Sequence, residues 1–318
     1  MIILRLALGA TFLTALAFAR GAAPSERLSG AGAATDDPDF LETNYYLEEG
    51  DPYAPASAGD ADLGEQVILR RQSGRAPVEA RADAFLFWSD NVSARSFDEL
   101  EGWFWGGSLS ARWKQYLGSN WFFDAYAYQD AFFYDREGLD FQSTEFGAGL
   151  IRNLPGLDNL TLYGRYEFLY LHAENPAFNP AGPFAFTDDR YHRLRVGGFK
   201  ALVQRPNHIL TLAAGAAWDF DASGNARKRT ELAVRLAYTR RLTHRLRATA
   251  CYRLAYRDYL ASSRQDWNQY GGLELACSLT PWADLHASLL FGDNQSNHAL
   301  RDYSAWQAGL GLGLRGRF

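Results

Sequence analysis

Arginine recurs at alternating positions through two neighbouring stretches of the chain. Arg229, Arg235 and Arg241 lie in one, with Glu231 among them, and Arg245, Arg247, Arg253 and Arg257 in the next. A guanidinium offers a flat fork of N–H donors that grips carboxylate or phosphate bidentately. Several of them on one surface also lower the barrier to passing anions. Between these arginines stand Leu232, Val234, Leu236 and Tyr238, then Leu246, Ala248, Ala250, Tyr252, Leu254 and Tyr256. A period of two is the strand period, so arginines occupy one face and apolar residues the other.

The same division along the whole chain adds Arg81, Arg112, Lys114, Arg165, Arg193, Arg195, Arg315 and Arg317 to the polar face. Its acids are Asp83, Asp124, Asp130, Glu145, Glu167, Asp219, Glu231 and Glu274. That face is basic although the chain as a whole carries a net charge of -5. Two readings follow. Either Arg112, Arg165, Arg193, Arg195, Arg235, Arg247, Arg253 and Arg257 line a path for small anionic solutes, or the charges interlock and fill the interior. Arg165 with Glu167, and Glu231 with Arg229 and Arg235, are the clusters expected in the second case. Small residues on the polar face, Ala213, Gly215 and Ala217 in one wall and Gly309, Gly311 and Gly313 in another, leave space in the first.

Other chemistry is sparse. His192, His244 and His286 are isolated, without metal-ligand spacing. Ser296-Asn297-His298 lies in an expected loop, in the wrong order for a lipase-type site, and no phosphate loop or nucleotide fingerprint occurs. The acidic balance and the absence of a Lys/Arg run argue against nucleic acid as a partner. No catalytic residue, metal or cofactor is expected, and no oligomeric state is assigned. Cys251 and Cys277 are too few for a disulfide scaffold. If Asp258 faces Trp267, they point to opposite faces and stay unbridged.

Positioning these side chains requires strands. Alternating runs of apolar and polar residues span 78–90, 103–115, 120–132, 142–152, 160–171, 190–203, 209–220, 229–241, 245–258, 267–279, 285–292 and 303–318. Short connections follow the even runs, at Tyr116–Ser119, Asn153–Asn159, Gln204–His208, Leu242–His244 and Thr280–Asp284. Those after the odd runs are mostly longer. Aromatics reach 15% of 318 residues, and Trp and Tyr gather at the run ends. Trp88, Trp103, Trp105, Tyr170, Trp218, Tyr256, Trp267 and Trp306 fall near one end, with Trp113, Trp121 and Trp282 near the other, as two interfacial girdles would.

The chain termini differ from this body. Residues 1–23 carry Arg5, an apolar run from Leu6 to Phe18 and then small residues, the layout of a secretory signal. Residues 24–77, rich in Ala, Gly, Ser and Asp, are expected to form a flexible periplasmic segment or a partial plug. At the other end, Leu310, Leu312, Leu314 and the terminal Phe318 alternate with Gly311, Gly313, Arg315 and Arg317. This resembles the closing strand of bacterial outer-membrane β-barrels, which the barrel-insertion machinery recognises by such a pattern. The hairpin Asn294–Asn297 with Asp302-Tyr303 is also similar to the last strands of barrels that export or display lipoproteins and polysaccharides. The fold these resemblances imply is all-β: an antiparallel up-and-down transmembrane barrel of about twelve strands over 78–318. The expected setting is the outer membrane, with lipid around the barrel. The function expected is a porin-like channel for small anionic solutes, or else an export or structural barrel with a closed or plugged lumen.

Overall fold

The computed structural model describes residues 77–92, 100–135, 139–158, 160–175, 185–222, 228–260, 263–298 and 301–318. The expected signal and nearly all of the segment 24–77 lie outside them. Twelve strands follow one another: β1 (Val78–Ser89), β2 (Gly102–Gly118), β3 (Trp121–Tyr134), β4 (Phe141–Leu154), β5 (Leu160–Asn175), β6 (Ala185–Arg205), β7 (His208–Ala222), β8 (Arg229–Arg241), β9 (Leu246–Tyr259), β10 (Gln265–Thr280), β11 (Ala283–Ser296) and β12 (Tyr303–Arg317). Each run of alternating residues becomes one strand, because only that conformation sends its apolar half to one side.

Every strand pairs antiparallel with its sequence neighbours, and β1 pairs with β12 to close a barrel. Closure leaves no strand edge with unpaired backbone groups. Register keeps each face uniform around the seam: Leu86 is level with both Leu310 and Trp105, while Phe87 is level with Gly309 and Phe104. The outer surface is apolar, with Leu310 60% exposed and Leu273, Val196, Leu232 and Trp306 likewise open. Inward positions are buried, as at Ala255, Asp124 and Thr239. A polar interior inside an apolar skin inverts the pattern of a water-soluble sheet protein, and matches a barrel immersed in lipid.

Connections alternate in length. At one end they are Ser119-Asn120, residues 155–159, Pro206-Asn207, residues 242–245 and Pro281-Trp282. At the other they run over 90–101, 135–140, 176–184, 223–228, 260–264 and 297–302. Several short turns are tighter than the sequence suggests, because strand pairing continues into residues expected to be loop. Gly118, Ser119 and Asn120 all have positive φ, 99°, 50° and 64°, which lets β2 reverse directly into β3. A single 3₁₀ turn at Pro155–Leu157 ends at Asp158, whose φ is 53°, before β5 begins. Thr243 instead supports its turn through Oγ1, which accepts from the backbone N–H groups of Arg245 and Leu246 at 3.2 and 3.0 Å.

One register differs from expectation. Asp258 faces Gln265, so Trp267 faces Tyr256 and Cys251 faces Gly272. Pairing persists to the outer end because Arg264 lies over the Tyr259 ring at 4.3 Å and donates to Asp266. The slip is two residues, which preserves the facing of every side chain. Cys251 and Cys277 form no disulfide with each other.

Candidate functional site in the barrel lumen

The half of the lumen nearer the long loops is apolar along one wall. Phe87, Phe104, Phe132, Phe141 and Leu171, inward residues of β1 to β5, form one buried cluster with Tyr270 and Leu290 from β10 and β11. Phe104 stacks on Phe87 with ring centres 5.4 Å apart, and Phe132 on Phe141 at 4.3 Å. Val92, Leu100 and Leu139, just beyond the strands, fold onto the same cluster. Burial of so many rings inside the barrel closes this side with side chains.

The cluster also occupies the glycine face of β12. A Cβ on Gly309 would come within 2.4 Å of the Phe87 ring, and one on Gly313 within 2.7 Å of Asp83. These glycines admit neighbouring side chains, and the space expected there is filled. Glycines elsewhere act alike, since the Tyr126 ring lies across Gly147 and the Tyr163 hydroxyl over Gly197 and Gly215.

Deeper in the lumen the charges interlock. Asp124, fully buried, accepts from Arg112 Nε at 2.5 Å and has Arg165 Nε 3.1 Å from its other oxygen. The Arg165 guanidinium lies 4.7 Å over the Tyr163 ring. Glu167 accepts from Arg195 Nε at 2.8 Å, and Tyr126 Oη lies 2.8 Å from Glu145 and 3.1 Å from Glu167. Asp219 accepts from Arg193 at 2.6 Å, with Arg229 3.9 Å away. Glu231 uses both oxygens, taking Arg253 Nη2 at 2.5 Å and Arg257 Nε at 2.7 Å. On the opposite wall, Arg81 donates to Asp83 at 2.9 Å and His286 lies 3.7 Å from Glu274.

Among the arginines expected to line a path, Arg112, Arg165, Arg193, Arg195, Arg253 and Arg257 are ion-paired. Arg247 Nε is buried and makes no hydrogen bond. Arg235 is buried directly opposite Arg253. The partners differ from the same-strand clusters expected, since Arg165 pairs with Asp124, and Glu231 with Arg253 and Arg257. Glu231 and Arg257 are directly opposed on β8 and β9, about 5 Å apart, while Arg165 reaches Asp124 across Gly149 of the intervening β4.

A small pocket lies against β7 and β8, lined there by Ala213, Gly215, Ala217 and Ala233. Tyr163, Arg195, Glu231, Arg235 and Arg253 complete its lining. This is the small-residue wall expected between β6 and β8, and it brings three guanidiniums to one cavity with one carboxylate.

No family model matches the chain, and no curated protein matches its sequence. Solved structures match the fold. An outer membrane channel from Pseudomonas putida F1 aligns at a TM-score of 0.51 and 10% identity, over 76% of this chain and 96% of its own. The fold is that of the bacterial outer-membrane β-barrels. The translocator domain of the autotransporter NalP from Neisseria meningitidis aligns at a TM-score of 0.46 and 14% identity, over 78% of this chain and 90% of its own. A KdgM porin in complex with disordered oligogalacturonate aligns at 0.39 and 8%, over 74% and 98%. These likenesses are of fold, and no subfamily is distinguished by them.

The last strand carries its leucines on the apolar face. Leu310, Leu312 and Leu314 face outward, and the Phe318 ring is 73% exposed at the short-turn end. Sequence reading missed the inward aromatic cluster and the acids Glu79 and Asp266, which pair with Arg317 and Arg264. A signal for the cluster exists: in Ala84-Phe-Leu-Phe-Trp88 both strand faces are apolar, so one of them must turn inward.

Proposed function

We propose that this barrel is a narrow outer-membrane channel preferring small anionic solutes. The observation that carries the reading is the bare, basic wall of β6 to β9. There, small side chains leave a pocket at mid-lumen and Arg195, Arg235 and Arg253 border it. The aromatic cluster and the ion pairs occupy inward positions elsewhere among the described residues, so a route would run off-centre along this wall. Arginines there lower the cost of an anion and raise that of a cation. On this reading the chain resides in the outer membrane, Phe318 serves its insertion, and no catalysis is involved.

The test is conductance of the full-length protein in planar bilayers. The expected result is small single-channel steps with a reversal potential on the anion side, shifted toward neutrality by Arg253→Gln. Folded protein that gives no steps at any voltage would overturn the reading. That outcome would favour a structural barrel with a closed lumen, a second reading supported by the stacked rings of Phe87, Phe104, Phe132 and Phe141.

A further inference from the structure

We infer that the acidic stretch 36–65, upstream of the barrel and outside the described residues, docks on a basic rim formed by the β6–β7 and β8–β9 turns at the short-turn end. Both sides of this contact are one-sided in charge. Ten carboxylates lie between Asp36 and Glu65, and residues 28–69 contain no Lys, Arg or His. On the barrel the reverse holds: residues 200–218 and 232–257, which include both turns and the strand ends beside them, contain no Asp or Glu. Register gathers their basic residues at one level, since Arg205 faces His208, His208 is level with Arg240, and Arg241 faces Arg247. Arg245 stands exposed in the β8–β9 turn. Glu274 on β10 acts electrostatically on Arg247. Arg205, Arg240, Arg241 and Arg245 form no side-chain ion pair or hydrogen bond with any described residue. Like charges set side by side repel, so carboxylates laid across this rim remove that cost and accept the free guanidinium N–H groups.

The acidic stretch is tethered within reach. The chain enters β1 at the short-turn end, where the Val78 backbone donates to Phe318 at 3.2 Å. From β1 the wall passes through β12, β11 and β10 to β9, and these steps of about 4.8 Å place the rim about 19 Å away. Residues 66–77 span up to about 40 Å when extended, enough to bring Asp60, Asp62 and Glu65 to Arg245. A partner in the same chain is also present at an effective concentration on the order of millimolar. A phospholipid headgroup fits the rim less well. It would meet Arg240 on the outer face beside Leu236 and Tyr238, whereas Arg241 shares the inward face with Arg235 and Thr239. A segment lying across the rim meets both faces and the turn.

The test is photo-cross-linking in the full-length protein, reconstituted in vesicles of phosphatidylethanolamine and phosphatidylglycerol. Benzoylphenylalanine replaces Leu242 in the β8–β9 turn or, as the comparison, Leu157 in the β4–β5 turn, both exposed leucines. The Leu157 turn is the nearer of the two to β1 around the barrel, so tether length alone favours it. Cross-links from position 242 to residues 28–69 of the same chain are expected at several times the yield from position 157. Raising sodium chloride to about 1 M, where the screening length is about 3 Å, should cut the yield at 242 about threefold or more. Replacing Asp60, Asp62 and Glu65 together by Asn, Asn and Gln, all outside the barrel, should do the same at low salt, and so should Arg245→Gln. Heat-modifiable migration in gels checks that each variant keeps the barrel. Equal yields from the two positions, or a yield at 242 that neither salt nor the triple substitution changes, would overturn the docking. Capture of lipid alone at 242 would overturn it too, and would assign the rim to phospholipid headgroups. The readout is contact, so currents without this cross-link would leave the channel reading standing, and the cross-link without currents would leave the docking standing.

Discussion

Asp124 shows how the lumen is held at the level of single residues. It is fully buried on β3, yet it has a guanidinium on each oxygen, Arg112 from β2 and Arg165 from β5. Removing one member of such a set leaves an unpaired buried charge, whose cost exceeds what the pair itself contributes. Asp124→Asn should therefore lower unfolding stability by about 3 kcal/mol, read from urea transitions in lipid vesicles. A loss under 0.5 kcal/mol would mean water reaches these arginines. Asp158, in the turn before β5, behaves differently because it is open to solvent. Lys200 Nζ donates to its carboxylate at 2.9 Å and holds it below the usual carboxylate range. A depressed value means the contact stabilises the turn at neutral pH and is lost as pH falls through the folded-state value. Amide protection factors near Asp158 should fall on acidification in the wild type and show no such step in Lys200→Ala.

Among the elements, the seam between β1 and β12 decides closure. Eleven residue pairs run from Glu79 and Arg317 to Ser89 and Gln307. Gly309 sits at its outer part beneath Phe87, so Gly309→Val should cost about 1–3 kcal/mol by overpacking. Combining it with Phe87→Ala should recover part of that loss in a double-mutant cycle. At the other end of β12, the Phe318 backbone donates to Val78 at 2.9 Å while its ring stays exposed. Phe318→Ala should leave unfolding stability within about 0.5 kcal/mol and lower the amount of protein recovered in the outer membrane. An equal yield of both proteins would remove Phe318 from insertion. The strands themselves were legible in the sequence because each carries its own alternation. Their ends were less so, since Pro206-Asn207 and Pro281-Trp282 reverse the chain in two residues and pairing absorbs the flanking positions.

For the whole molecule, two opposed solvents shape the barrel. The outer face must meet lipid, and Leu312→Arg on that face should cost about 2–4 kcal/mol in bilayers. The inner face is divided between a ring-filled side and a bare one. Phe132→Ala should destabilise by about 3 kcal/mol and enlarge the single-channel conductance if ions pass the aromatic cluster. Unchanged conductance in the folded variant would confine the current to the β6 to β9 wall.

The period-two pattern of apolar residues, the placement of Trp and Tyr, and the alternation of loop lengths determine a twelve-stranded barrel, because a strand's two faces are fixed by its own sequence. Which inward residues touch one another was decided only by the closed sheet. Register set Asp124 between Arg112 and Arg165, and set Arg235 against Arg253. Curvature brought Tyr270 and Leu290 to the rings of β1 to β4. A sequence shows that a side chain points inward, but whether it meets a partner or open space depends on the strands beside and across from it. For that reason the glycines of β12 lie beneath neighbouring side chains, while Ala213, Gly215 and Ala217 border a cavity.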